Sequence, residues 1–369
     1  MTNFFDNFYD WWKNIDKFIF LTILFLFFLG LFFSLVSTSL IASDKLDTNS
    51  YHFFFKHLIF IILAITLFLF ISFLDQDLIV RFSIFFFFIS LLVLILVPFI
   101  GVEVKGSKRW IELAFFPRFQ PVEILKPFLI IFLSSILSIE KKNLYLKYFL
   151  SIIIILPISL LLISQPDLGQ TILILSVWLT LIFVSGINLY LFFSIFLSLN
   201  LIISYLIIYV TKFEYIKIRL ISFLDSNSGN NYQAEKASDA IVSGGLFGKG
   251  IGEGTLNSKV PEAHTDYIIS VISEEFGAII VLTIIIIYLI FYYKVIQKIN
   301  IINKSKFKLI LIGCTTMVLL QMFVHVGVNI RLLPTTGMTL PFLSYGGSSI
   351  ISTAIISGLI LNFTKRKLN

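Results

Sequence analysis

Apolar runs about twenty residues long, parted by short polar breaks, recur along the chain at roughly 18–42, 52–74, 79–101, 122–139, 146–164, 168–186, 189–210, 267–293, 308–330 and 343–363. Each is long enough to cross the hydrocarbon core of a bilayer. The pattern predicts an all-α polytopic membrane protein with about ten transmembrane helices in one bundle. Residues 1–369 then form a single integral membrane domain. An even number of crossings puts residues 1–17 and 364–369 on the same side. Two breaks are long, 102–121 and 211–266, and the second lies between spans seven and eight. At about 55 residues it is too long for a passive connection in a compact bundle, and such segments usually carry function.

Composition agrees with this reading. The chain is 58% hydrophobic and 13% charged, with a mean hydropathy of +0.98, about half the charge of a soluble domain. A net charge of +7 is ordinary for cationic loops and does not point to nucleic acid. The single cysteine, Cys314, excludes an internal disulfide and a zinc cluster. The first apolar run is longer than a signal-peptide core and reads as a retained span. The 28 Lys and Arg divide evenly between the two sides. On the side of the termini they sit in compact flanks, at 141, 142 and 147, at 294–308 and at 365–367. That arrangement favours cytoplasmic termini, with 102–121 and 211–266 extracytoplasmic.

Four polar stretches carry candidate chemistry. "SGGLFGKGIGEG" (243–254) has no Ser or Thr after Lys249, so it is not a Walker loop. It is a hinge, or a loop that brings backbone amides and Lys249 to a phosphate. "KGSKRW…FQPVEILK" holds Arg109, Glu123 and Lys126, and the last two share a helix face three residues apart. A carboxylate and an ammonium at membrane depth are costly unless paired or facing a cavity. "SQPDLGQ" sets Asp167 where the sixth span starts, as a helix cap or a functional acid. "KVPEAHTDYIISVISEEFG" (259–277) places His264 and Asp266 at the start of the eighth span. Position 269 is Ile, so no capping box forms. On one continuous helix Asp266, Ser270, Ser273 and Gly277 would fall within about 40° of one another, a narrow polar face turned to the bundle or a wet cavity.

Together with "LLPTTGMTLPFLSYGGSS", these stretches resemble the SEDS family over about residues 16–365, and the division branch of that family more than its elongation branch. The resemblance implies ten spans, cytoplasmic termini and a peptidoglycan glycosyltransferase that polymerises lipid II outside the inner membrane, at the division septum. It implies as partners a class B penicillin-binding transpeptidase of the FtsI type and other division proteins. It assigns the essential carboxylate to Asp266 and matches Glu123 and Lys126 to a second motif. Val122 stands where the family has Ser, and Thr336 where a lysine is usual. "FFPRF" (115–119) is an uncommon approach to the second motif.

On this reading Asp266 is the general base that deprotonates the acceptor hydroxyl. Arg109, Lys126 and Lys249 hold the diphosphate leaving group, and the sugar anomer inverts. Asp167, His264 and Ser270 complete the candidate substrate-binding set. A divalent cation such as Mg or Mn is left open, with Glu123 or Asp266 as its ligand. Three other roles stay open: a lipid II flippase with Asp167, Glu123 and Glu274 along its path, a non-enzymatic division scaffold, and an elongation role.

Overall fold

The computed structural model describes residues 2–39, 52–104, 106–113, 116–139, 144–224, 232–256 and 259–365. Seven of its helices are long and apolar enough to cross a membrane. In our numbering these are α2 (Lys17–Ser39), α3 (His52–Phe73), α4 (Gln76–Ile100), α6 (Leu144–Ser164), α8 (Leu189–Tyr209), α12 (Ala278–Ile299) and α13 (Ser305–Asn329). Three more, α5 (Pro121–Leu137), α7 (Leu168–Val184) and α14 (Gly347–Phe363), are apolar helices of 17 residues, near the lower limit for a crossing. Every predicted run therefore meets a helix, and the chain is a multi-pass membrane protein. Residues 40–51, Lys105, Lys141, Lys142, Arg366 and Lys367 lie outside the described residues.

Contacts sort the connections into two ends. At one end Asp16 pairs with Lys298 at 2.6 Å, Asp77 approaches Lys304 at 3.8 Å, and Gln76 donates to the Asn362 carbonyl. At the other end Arg109 meets Asp167, and His264 meets Phe53 and Tyr345. Successive apolar helices thus carry the chain back and forth, as the hydropathy pattern predicts. The N-terminal stretch folds as helix α1 (Thr2–Asn14) and seats Trp11 on Phe73, ring centroids 4.1 Å apart.

The interior of the bundle is α14, buried along nearly its whole length, packed on α3, α5 and α13. Its last turn is tied to the end of α3 by Asn362, whose amide donates to the carbonyls of Ile71, Ser72 and Leu74. These carbonyls at a helix end have no partner within their own helix. At the periphery α8 has no buried residue.

Three findings refine the sequence reading. The break at 102–121 is a small antiparallel sheet of order β1-β2-β3, made of Val102–Val104, Ser107–Leu113 and Phe116–Phe119. The break at 211–266 holds α9 (Glu214–Leu224) and α10 (Tyr232–Gly244). The eighth span is not one helix. A short α11 (Ile268–Phe276) ends at Gly277, whose φ of 83° and ψ of 170° end one helix before α12 begins. The predicted face running from Asp266 to Gly277 is therefore not formed, because Asp266 precedes the helix and Gly277 breaks it.

Gly30 of α2 lies against the backbone of Phe342, a residue with a left-handed φ of 67°. A methyl group at position 30 would overlap the Phe342 carbonyl oxygen. Gly30→Ala is expected to cost about 1–3 kcal/mol by overpacking, read as a lower midpoint of thermal unfolding in detergent.

Candidate active site

Residues 259–267 form a tight turn that leads into α11. Its hub is the Glu262 carbonyl, which accepts from the amides of Thr265 (3.0 Å), Asp266 (3.1 Å) and Tyr267 (3.4 Å). Glu262 itself is left-handed, with φ 56°. The carbonyls of His264, Thr265 and Asp266 are each taken by residues 329–345. Tyr345 N donates to His264 O at 3.0 Å, Ser344 Oγ to Thr265 O at 2.6 Å, and Asn329 Nδ2 to Asp266 O at 3.1 Å. Ser344 Oγ also accepts from Leu340 N at 2.8 Å, and Asn329 Oδ1 from Ser270 N at 3.3 Å. Asp266 remains partly exposed. Its Oδ2 lies beside Gly337, 3.4 Å from where a Cβ would stand.

The helix that reaches this turn, α13, carries Gln321, His325 and Asn329 at four-residue spacing, hence on one face. Gln321 Nε2 donates to Thr339 O at 3.0 Å, and His325 Nδ1 lies 2.7 Å from Met338 O. One polar stripe therefore holds both the 338–345 segment and the Asp266 turn. Sequence reasoning missed these three residues, although polar side chains recurring every fourth position in an apolar run are a usable signal.

Deeper in the bundle Glu123 and Lys126 pair at 2.7 Å, both buried. Gln170 donates to Glu123 at 2.6 Å, and Lys126 donates to Gln321 at 3.3 Å. Gln321 and Asn329 are about 12 Å apart along the axis of α13, so this pair stands well below the Asp266 turn. The pairing anticipated from the spacing is present, but it closes the ammonium inside the protein.

The other nominated residues are placed as follows. Asp167 caps α7 through Gln170 N, accepts from Gln120 at 2.7 Å, and lies 3.9 Å from Arg109. Burial raises its carboxyl pKa, and the Arg109 charge opposes that shift. Arg109 donates to the carbonyls of Gln165 and Pro166, fastening the β-sheet to the start of α7. His264 sits in an aromatic group with Phe53 and Tyr345. Ser270 is fully buried, and its hydroxyl turns back to Tyr267 O at 2.7 Å.

The glycine run is packing. Gly244, Gly248 and Gly277 bring 244–250 so close to the end of α11 that a Cβ at any of the three would overlap backbone atoms. Lys249 pairs with Glu274 at 3.3 Å, and Glu274 also accepts from the amides of Thr255 and Leu256 at 2.9 Å. Lys249, expected to approach a phosphate, thus pairs with a buried carboxylate while remaining exposed itself. Thr336, where a lysine is usual, is buried against Gly169.

Among the described residues no three His, Cys, Asp or Glu side chains converge on a point that could hold a metal ion. The oxygens of Glu123 are held by Lys126 and Gln170. Of the two nominated ligands Asp266 is the partly exposed one, and a magnesium-type site needs only one or two carboxylates beside substrate phosphates.

A buried pair that loses one member leaves an uncompensated charge, at a cost of about 3–5 kcal/mol. Lys126→Met is expected to lower stability by that amount, and Glu123→Gln combined with Lys126→Met to recover most of it. Thermal unfolding of the two purified variants decides between them.

Comparison with known proteins gives the arrangement its family. A family model described as "Cell cycle protein", spanning FtsW, RodA and SpoVE, matches residues 16–369. The probable peptidoglycan glycosyltransferase FtsW of Caulobacter vibrioides is 30% identical over 366 residues, covering 97% of this chain and 91% of that protein. The protein of the same name from Coxiella burnetii is 33% identical, covering 94% and 95%. The crystal structure of Thermus thermophilus RodA matches with a TM-score of 0.69 at 25% identity, covering 95% and 96%. A chain from a peptidoglycan synthase complex matches with a TM-score of 0.77 at 24% identity, covering 95% and 97%. With the same bundle and a match along nearly its whole length, the chain belongs to the FtsW/RodA/SpoVE family of cell cycle proteins.

Proposed function

We propose that the protein is a peptidoglycan glycosyltransferase that polymerises lipid II, with Asp266 as its general base. The observation that carries this reading is the Asp266 turn. A partly exposed carboxylate is held in place by a clamp on its own carbonyl and on the two before it. Its Oδ2 lies beside a residue without a side chain, Gly337, so a hydroxyl can approach closely.

The reaction needs few groups. Asp266 takes the proton from the acceptor sugar's hydroxyl as that oxygen attacks the anomeric carbon of the donor. The bond from that carbon to the diphosphate oxygen breaks, and the electron pair leaves with the polyprenyl diphosphate. Attack from the far side inverts the anomer. The carboxylic acid then returns its proton to water. A diphosphate departs without protonation, so no second acid is required. Glu123 and Lys126 act at a distance, by fixing Gln321 and through it the segment beside Asp266. Relatives named FtsW support a division role, with the turn on the extracytoplasmic face of the cytoplasmic membrane at the septum. The likeness to a chain of a peptidoglycan synthase complex supports a transpeptidase partner of the penicillin-binding class.

No observation favours a flippase. Glu123 and Asp167 share Gln170 as a hydrogen-bond partner, while Glu274 belongs to a separate group with Lys249 and the amides of Thr255 and Leu256. Purified protein with its transpeptidase partner and lipid II tests the proposal. Asp266→Asn should lower glycan polymer by about 10²–10⁴-fold while the complex still assembles. Polymer at the unaltered rate would refute the base assignment. Scrambling of dye-labelled lipid without polymer would point to a flippase, and partner binding with neither activity to a scaffold.

A further inference from the structure

The end of α10 and the glycine loop after it leave four large apolar side chains in the open within ten residues. Val242 is 77% exposed, Leu246 64%, Phe247 81% and Ile251 64%. The path of the backbone explains why. Gly244 and Gly248 lay the chain against the end of α11, so the side chains between them are left the outer side. Gly245 and Gly248 take left-handed φ values of 58° and 80°, which glycine adopts without strain, and the turn closes tightly about Leu246 and Phe247.

Backbone hydrogen bonds hold this loop in place. Lys249 N donates to Glu274 O at 2.9 Å, Gly250 N to Glu275 O at 3.0 Å, and Gly248 N to Gly244 O at 2.8 Å. In return the loop caps the next helix. Ala278 N donates to Gly245 O at 2.9 Å and Ile279 N to Leu246 O at 3.3 Å, and these are first amides of α12, which have no partner within their own helix. Helix α12 has 22 residues, about 33 Å at 1.5 Å per residue, close to the thickness of a bilayer's hydrocarbon core. Near its far end Lys298 pairs with Asp16 on the opposite face of the bundle. Leu246 and Phe247 therefore stand where the hydrocarbon ends on the side of the Asp266 turn.

The neighbours of the patch say what covers it. Ile279 and Leu282, at the start of α12, are 43% and 56% exposed. Phe276 meets Phe32 and Phe33 of α2, ring centroids 5.8 and 5.5 Å apart. Both α2 and α12 are spans that present apolar side chains to lipid, and the patch continues their wall past the end of the helix. Apolar and aromatic side chains at that level enter the headgroup layer. Lys249 of the same loop reaches Glu274 instead.

We propose that residues 242–251 are a membrane-contact loop, whose Leu246 and Phe247, flanked by Val242 and Ile251, enter the interfacial layer of the leaflet on the side of the Asp266 turn. The loop thereby sets the height of that turn above the lipid surface. Ala237 and Ala240 of α10 pack with Val260, Ala263 and Tyr267 of the turn and Val271 of α11 in one buried cluster. Loop and turn sit at opposite ends of α11, whose 9 residues measure about 13 Å. The height role rests on the glycosyltransferase reading, in which donor and acceptor sugars are both tethered to lipid and meet the base at a fixed distance from the headgroups.

The test uses the full chain in nanodiscs of phosphatidylethanolamine and phosphatidylglycerol, with a nitroxide on Phe247→Cys. The native Cys314 is fully buried and stays unlabelled. Relaxation by oxygen, which concentrates in lipid, is compared with relaxation by a nickel chelate, which stays in water. Oxygen should dominate at 247, and the nickel chelate at the exposed position of Lys259→Cys. Nickel relaxation at 247 equal to that at 259 would place the loop in water and overturn the proposal, and its loss only when the transpeptidase partner is added would assign the patch to a protein. Shielding from both reagents without a partner would assign it to a contact between copies and also overturn the proposal. The height role has its own readout. Leu246→Ser combined with Phe247→Ser should lower polymer from lipid II by about tenfold or more in nanodiscs, and much less in detergent micelles, which have no fixed lipid plane. An equal loss in both would overturn that role. A parent protein that makes no polymer would refute the glycosyltransferase reading and leave membrane contact to be judged on the nitroxide alone.

Discussion

Three consecutive backbone carbonyls, those of His264, Thr265 and Asp266, are held by a segment some sixty to eighty residues further along the chain. The rest of the site depends on that clamp. A short turn before a helix does not fix a carboxylate by itself, and carbonyls away from water must find partners. Here the partners are Tyr345, Ser344 and Asn329, so the turn and the 329–345 segment form one unit. Left-handed residues bracket it, Glu262 in the turn and Arg331 and Phe342 in the partner segment. Such conformations cost of order 1–3 kcal/mol each and persist where the surroundings over-determine them.

The unit is supported from within the bundle. In a bilayer, polar groups that cannot reach water must be satisfied by the protein itself. Gln321, His325 and Asn329 meet that demand on one face of α13, each bonding a carbonyl of the site. Through Gln321 the stripe continues to Lys126, then Glu123 and Gln170. Acidic and basic side chains that look like chemistry in the sequence thus divide into two kinds. Those in the interior hold the scaffold, and Asp266 stands partly exposed at the rim.

Much of the fold was legible in the hydropathy pattern, because each apolar run long enough to span a bilayer became a helix. The break at Gly277 was not, since an apolar run reads as continuous and only the backbone at that glycine shows the turn. The sheet at 102–121 was also hidden, because β1 and β3 have 3 and 4 residues and β2, SKRWIEL, does not alternate apolar with polar side chains. Within the site, the pairing of Glu123 with Lys126 followed from their spacing, and the importance of the Asp266 stretch from charge at the edge of an apolar run. The roles of Lys249 and Ser270 did not follow. Glu274 claims the first and Tyr267 O the second, and neither partner is visible without the path of the chain.

The central claim is that the Asp266 carboxylate itself moves the proton. The most direct measurement is rescue of an Asp266→Ala variant by formate, followed as glycan polymer from lipid II in the reconstituted complex. A base that acts through its own oxygens should be replaced in part by a small carboxylate, so polymer should reappear in proportion to formate and not to chloride at equal ionic strength. A variant that folds, binds its partner and stays inactive at every formate concentration would contradict the account.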